Sequence, residues 1–323
     1  METAATGICC HLTARNDSLS AEWIVRLFVI GSEGQLARSL CELAVNTPDL
    51  TIGCSRRPTM DLLDPDSIER PLLDFAPDVV VNPAAYTAVD RAESEPEVAF
   101  ATNRDGAGLV AQTAARIGTP IIHLSTDYVF DGRKDAPYVE TDPVAPQGVY
   151  GHSKLAGEIA VAAANQRHII LRTSWVYAPF GNNFVRTVLR LSRQTGKLRV
   201  VDDQIGCPTF APDLAFAIIE IARKALSNSW DERLAGITHI CGPDQLSWFA
   251  FARKIMQYTE KMGGPAVEVE AISTAAYPTA AVRPANSRLC CGRLASIFDI
   301  RMPPLESSLE RCMKRLLSNQ PQI

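Results

Sequence analysis

The nine cysteines of this chain include no C-x-x-C, and its five histidines include no pair at metal-ligand spacing. The first absence excludes a thioredoxin-like redox motif, and the two together leave no zinc signature. An odd number of cysteines reads as reduced thiols, mostly buried, rather than as a disulfide framework. No apolar run approaches membrane-spanning length, so a helical anchor is not expected. Charge of one sign is missing too. A net charge of -4 and a pI near 5.8, without a basic or acidic block, remove the electrostatic footprint of a nucleic-acid binder. Residues 1–22, METAATGICCHLTARNDSLSAE, lack the basic start and apolar core of a secretory signal. They set Arg15 against Glu2 and Asp17 and read as a disordered leader. There is no internal repeat. The expectation is a globular, cytoplasmic protein whose partner is a small molecule.

What is present is an alternation. Short β-rich runs at 26–30, 51–54, 78–82, 120–125 and 168–174 are separated by helical patterns. In the first helix Leu36, Leu40, Leu43 and Ala44 recur at helical spacing, giving one apolar face to lay on a sheet. The runs themselves are apolar throughout, as strands covered on both faces must be. Strand, helix, strand, repeated, predicts an α/β, Rossmann-type doubly wound parallel sheet. After Ser174 the rhythm loosens. The chain is expected to leave the sheet at about 175–206, rejoin it at about 207–241, and finish at 242–317 as a smaller, mainly C-terminal substrate domain, with 23–174 as the dinucleotide-binding unit.

The first strand runs into Gly31, Ser32, Glu33, Gly34, Gln35, Leu36 and Ala37, and a helix follows at once. Glycines there let the backbone turn tightly and approach a pyrophosphate, whose charge is met by the helix N-terminal amides. The full fingerprint has a third glycine where this chain has Ala37. At the end of the second strand, where an acid would hold a ribose 2′-hydroxyl, stand Arg56 and Arg57. Two arginines suit a 2′-phosphate, so NADPH is expected over NADH, with NADH also accepted.

Ser125, Thr126 and Asp127 fall at the carboxyl end of the apolar run at 120–125, the edge where ligands bind in open α/β sheets. A hydroxyl there can donate to a carbonyl oxygen as it gains negative charge. Tyr150 and Lys154 stand four residues apart at the start of a helix, on one face. A neighbouring cation favours the phenolate and moves the tyrosine toward the working range, so the pair could relay a proton to a carbonyl.

A glycine-rich first turn, a strand-end Ser-Thr and a Tyr-x-x-x-Lys together resemble the extended short-chain dehydrogenase/reductase superfamily. More closely, VNPAAYTAVDRAESEPE, LSTDYVFDG, PVAPQGVYGHSKLAGE, LRTSWVYAPFGNNF, GCPT and RPANSRL resemble the dTDP-4-dehydrorhamnose reductase family, over nearly everything from Val25 to Leu317. The resemblance implies reduction of the 4-keto group of dTDP-4-dehydro-L-rhamnose to dTDP-L-rhamnose by hydride from NAD(P)H. It implies that Tyr150 gives the proton, that Lys154 holds the nicotinamide ribose and lowers the tyrosine pKa, and that Thr126 hydrogen-bonds the keto oxygen. It also places Gly34, Gln35 and Leu36 at the pyrophosphate, Asp61 and Leu62 beside the adenine, and Ala85, Tyr86 and Thr87 along the cofactor's far half. Asp127 and Trp175 become substrate contacts. An indole at a strand end can stack on a sugar or base while its N–H finds a polar partner. Arg283 is a candidate for the substrate diphosphate, since a guanidinium pairs with phosphate oxygens in a fork; a surface salt bridge is the competing reading.

Three residues depart from the family pattern. Ala37 replaces the third glycine at little cost, Pro83 removes a backbone donor beside the cofactor, and Ser39 stands where some members carry a glutamate that holds a magnesium ion between subunits. No metal is expected, and a homodimer is left open. The rivals are a catalytically idle binding homologue and a reductase or epimerase of another nucleotide sugar.

Overall fold

The computed structural model describes residues 24–227 and 229–318; the leader expected at 1–22 lies outside them. The chain runs β1 (Val25–Ile30), α1 (Gln35–Ala44), β2 (Leu50–Ser55), α2 (Pro65–Phe75), β3 (Val79–Asn82), α3 (Val89–Ala92) and α4 (Pro96–Phe100). A π-helical turn at Ala101–Gly106 leads into α5 (Ala107–Arg116), then β4 (Ile121–Thr126), α6 (Val149–Ala164) and β5 (His168–Thr173). There follow β6 (Val176–Tyr177), α7 (Phe184–Ser192), β7 (Lys197–Val201), β8 (Ile205–Gly206), β9 (Thr209–Phe210), α8 (Ala211–Leu226) and β10 (Gly236–His239). The chain closes with β11 (Leu246–Ser247), α9 (Trp248–Lys261), β12 (Glu268–Ile272), β13 (Asn286–Ser287), α10 (Gly292–Phe298) and α11 (Leu305–Ser318).

The main sheet has six strands in the order β10-β5-β4-β3-β1-β2, all parallel. The doubly wound parallel sheet is therefore present. Its strands are apolar on both sides because successive residues serve opposite layers. Leu27 and Val29 pack with Leu36 and Leu40 of α1 and with Leu214 and Ile218 of α8. Phe28 and Ile30 pack with Ile68 and Leu72 of α2 and Val110 of α5. At roughly 25 cal/mol per Å² of apolar surface, a fully buried aliphatic side chain contributes about 1.5–3 kcal/mol, so these two layers dominate stability. The strand order reverses between β1 and β3, which opens a crevice at their carboxyl ends.

A third apolar cluster joins α7, α9 and α11 through Val188, Phe251, Ile255 and Leu309. Beside it β7 pairs with β12, and β8 is flanked by β11 and β13. Arg315 of α11 bridges to Glu42 of α1 at 2.6 Å, and Arg311 to Asp213 of α8 at 2.6 Å. Both contacts tie the last helix to the face of the main sheet. Among the described residues no helix is long and apolar enough to cross a membrane.

Candidate active site

A cleft of about 1190 Å³ runs along the carboxyl edge of the main sheet, from the β1–α1 turn to Trp175 and Trp248. Its volume exceeds the roughly 300–1,000 Å³ of ordinary small-molecule sites, so it has room for a dinucleotide and a second ligand.

At one end Gly31 leaves β1 with φ of +88°, a left-handed conformation that glycine holds without strain. Gly34 caps α1 with no side-chain hydrogen bond, so the first amides of the helix are unmet by side chains. Gly34, Gln35, Leu36 and Ala37 all line the cleft. Gln35 is also tied across it, accepting from Asn183 Nδ2 at 2.9 Å. Arg56 and Arg57 line the same end and are exposed, but each faces an acid: Arg56 pairs with Glu33, and Arg57 lies 3.8 Å from Asp61. Leu62 lines the cleft, whereas Asp61 lies outside the lining and accepts from Leu63 N at 3.1 Å.

Pro83, Ala85, Tyr86 and Thr87 form the wall after β3. Buried Asn103, on the π-helical turn, holds this loop. Its Oδ1 accepts from Tyr86 N at 2.8 Å, and its Nδ2 donates to Tyr86 O at 3.1 Å and to Ser153 Oγ at 2.9 Å. Nothing in the sequence pattern singled out Asn103. An asparagine inside an otherwise alanine-rich helix was the available signal.

Thr126 ends β4 and caps the 3-10 turn Asp127–Val129, accepting from Tyr128 N at 3.2 Å and donating to Asp127 Oδ1 at 3.2 Å. Tyr150 and Lys154 sit one turn apart at the start of α6, and the Tyr150 phenol lies beside Thr126. Gly151 makes this approach feasible, because a Cβ there would stand 2.3 Å from Tyr128 O. Lys154 is buried and donates to Leu124 O at 2.6 Å. Beneath it Arg172 forks onto Glu158 at 2.8 and 2.7 Å, and Ser125 Oγ donates to the same carboxylate at 2.5 Å.

The electrostatics correct one expectation. Lys154 does not pull Tyr150 toward the phenolate. Burial pushes the half-buried phenol well above its ordinary value, Thr126 opposes this, and Asp127 and Tyr128 add to it. The Lys154 ammonium is turned to the Leu124 carbonyl, and burial holds its own pKa down to about 8 against the pull of Glu158. Asp127 is likewise buried and pushed up to about 6, with Ser287 and Thr126 partly offsetting the desolvation. Its Oδ2 is buried without a hydrogen-bond partner, and the residue is part of the cleft wall.

Trp175 stands at the far end with φ of +48° and its indole stacked on Trp248. Arg283 is not in the lining. It pairs with Asp90 at 2.6 Å and donates to Tyr128 OH at 3.3 Å, the salt-bridge alternative rather than an open phosphate fork. The RPANSRL segment instead reaches the site through Ser287, which sequence reasoning missed. Ser39 is buried and donates back to Gln35 O at 2.7 Å.

Residues 25–318 match the family model described as the RmlD substrate binding domain. The chain is 50% identical to the dTDP-4-dehydrorhamnose reductase of Sinorhizobium fredii over 91% of its own length and 98% of the relative's. It is 40% identical to that of Burkholderia thailandensis, covering 91% of this chain and 100% of the relative. Among solved structures, a dTDP-4-dehydrorhamnose reductase from Bacillus anthracis in complex with NADP superposes with a TM-score of 0.82 at 34% identity, covering 89% of this chain and 98% of that one. A UDP-glucose 4-epimerase from Thermus thermophilus, at 18% identity and a TM-score of 0.72, shares the fold.

Proposed function

Because the chain belongs to the dTDP-4-dehydrorhamnose reductase family, we propose that it reduces the 4-keto group of dTDP-4-dehydro-L-rhamnose to dTDP-L-rhamnose with NADPH, and that Tyr150 is the proton donor. One observation carries the reading: the Gly31–Leu36 turn and the group Thr126, Tyr150 and Lys154 line a single continuous cleft. The residues at its nucleotide end fit a pyrophosphate. Space is open where a Cβ on Gly31 or Gly34 would stand, and the start of α1 offers uncapped amides to a negative group. Arg56 and Arg57 favour a 2′-phosphate, while Glu33 beside Arg56 leaves NADH a slower donor.

The nicotinamide cofactor, when bound, supplies the hydride. Tyr150 directs its hydroxyl at the keto oxygen, Thr126 turns its own from Asp127 to the same oxygen, and Tyr150 passes its proton to that oxygen as charge develops on it. Burial keeps the phenol protonated through neutral pH but also makes it a weaker acid, so its proton moves only as the keto oxygen gains negative charge. Lys154, one turn along α6 with its ammonium on the Leu124 carbonyl, is left to hold the nicotinamide ribose. The Asp127 carboxyl and Trp175 border the sugar.

The test is NADPH oxidation followed spectrophotometrically with dTDP-4-dehydro-L-rhamnose as acceptor. Turnover that requires both the sugar nucleotide and the enzyme supports the reading. NADPH binding without turnover on any 4-keto sugar nucleotide would replace it with the idle binding homologue, and turnover only on another nucleotide sugar would change the substrate.

A further inference from the structure

We propose that Trp248 is the positioning residue that fixes the Trp175 indole as a wall of the sugar subsite, with Gly206 as the gap that lets the ring lie there. The role rests on the reading of the cleft given above. Trp175 has φ of +48°, a genuine outlier for so bulky a residue, of the kind that persists only when its surroundings over-determine it. Three contacts do so. Thr209 N donates to Trp175 O at 3.1 Å, fixing the backbone. Trp248 lies face to face with the indole, ring centroids 3.4 Å apart and planes 7° from parallel. Aromatic pairs left to themselves prefer offset or edge-on arrangements with centroids about 4.5–7 Å apart, so the cofacial stack is imposed by the frame around it. Gly206 passes so close that a Cβ on it would stand 2.3 Å from Trp175 Cε2.

Trp248 is itself anchored. It is the first residue of α9, directly after the N-cap Ser247, whose hydroxyl accepts from Ala250 N at 3.1 Å and donates to Asp202. Phe184 packs against it at 4.5 Å between centroids. The wall therefore hangs from the start of α9 and from β8, both outside β4 and α6, which carry Thr126 and Tyr150. Holding it rigid places the sugar carbonyl before chemistry begins, where a misplacement of about 1 Å can cost ~100-fold in rate.

The test compares Trp248→Ala, Trp248→Phe, Gly206→Ala and Trp175→Ala in the full chain, by near-UV circular dichroism, NADPH affinity, and kcat and KM for dTDP-4-dehydro-L-rhamnose. Trp248→Ala is expected to lose the Trp–Trp dichroic signal and at least about 10-fold in kcat/KM, with NADPH affinity unchanged. Trp248→Phe should recover most of that loss. Gly206→Ala keeps Trp248 but displaces the indole, and should reproduce the Trp248→Ala defect. If Trp175→Ala is defective while Trp248→Ala and Gly206→Ala are normal, the positioning role is wrong and the substrate contact stands. A parallel loss of NADPH affinity in all variants, or no rescue by phenylalanine, also overturns it. If Trp175→Ala leaves kcat/KM unchanged, Trp175 does not border the sugar and the role falls with it. A wild type that leaves NADPH unoxidised overturns the proposed function itself, and this role with it.

Discussion

Asp127 is held where its charged form is disfavoured, and the cost has a sign that can be measured. Its folded pKa, pushed up to about 6 by burial, lies above that of an ordinary carboxylate, so the folded protein binds this proton more tightly than the unfolded chain. The stability it contributes is present below about pH 4 and lost as pH rises through 6. At neutral pH the buried carboxylate thus costs on the order of 3 kcal/mol. Asp127→Asn is expected to unfold at higher denaturant concentration than wild type at pH 7.5, with a gap that narrows steadily from pH 6.5 to 4.5, and to lose activity. A gap independent of pH would contradict the assignment. Lys154 has the complementary window: its penalty is full below about 8 and is relieved as pH climbs above that value. Tyr150, Lys154 and Thr126 were legible in the sequence because spacing along one helix or one strand end brings them together. Asn103, Ser287 and Gly206 were not, because each acts through an approach between segments far apart in the chain. Arg283 was legible as a motif, but its partner Asp90 lies 193 residues away.

The helical pattern at 95–118 reads as one helix, although Asn103, Gly106 and Gly108 are poor helix formers. The structure divides it into α4, a π-helical turn and α5. The wider turn carries Asn103 toward the Tyr86 loop, and π-turns of this kind recur at functional sites. Two glycines set its fit against neighbouring segments: a Cβ on Gly157 of α6 would stand 2.0 Å from Asn103 O, and one on Gly106 would stand 2.7 Å from Leu62 Cβ. Replacing a helical glycine by alanine ordinarily gains about 1 kcal/mol of helix propensity. At Gly157 the collision with backbone outweighs that gain. Gly157→Ala is expected to lower stability by about 1–3 kcal/mol and to weaken NADPH binding through the displaced Tyr86 loop. Gly196→Ala, which meets nothing within 4 Å, serves as the control and should change neither. Unchanged melting and NADPH affinity in Gly157→Ala would show that the turn is not held as described. The strand and helix boundaries of the first half were readable from apolar periodicity. The π-turn and the two-residue strands β8, β11 and β13 were not, since neither has a periodicity long enough to leave a pattern.

At the scale of the whole molecule the alternation of strand and helix was enough to anticipate the parallel sheet, and the sheet in turn locates the cleft at its carboxyl edge. The second half of the chain builds the far wall of that cleft. Trp248 at the start of α9 and Ser287 on β13 both reach the site from segments that lie outside the main sheet. One proposed step joins these parts: Tyr150 in the cleft gives its proton to a sugar carbonyl. Single-turnover hydride transfer from NADPH to dTDP-4-dehydro-L-rhamnose, compared between wild type and Tyr150→Phe, tests that claim most directly. The variant is predicted to bind NADPH as wild type does and to transfer hydride at least ~100-fold more slowly, the scale of a positioned general acid. Transfer at near wild-type rate, with NADPH affinity intact, would contradict it.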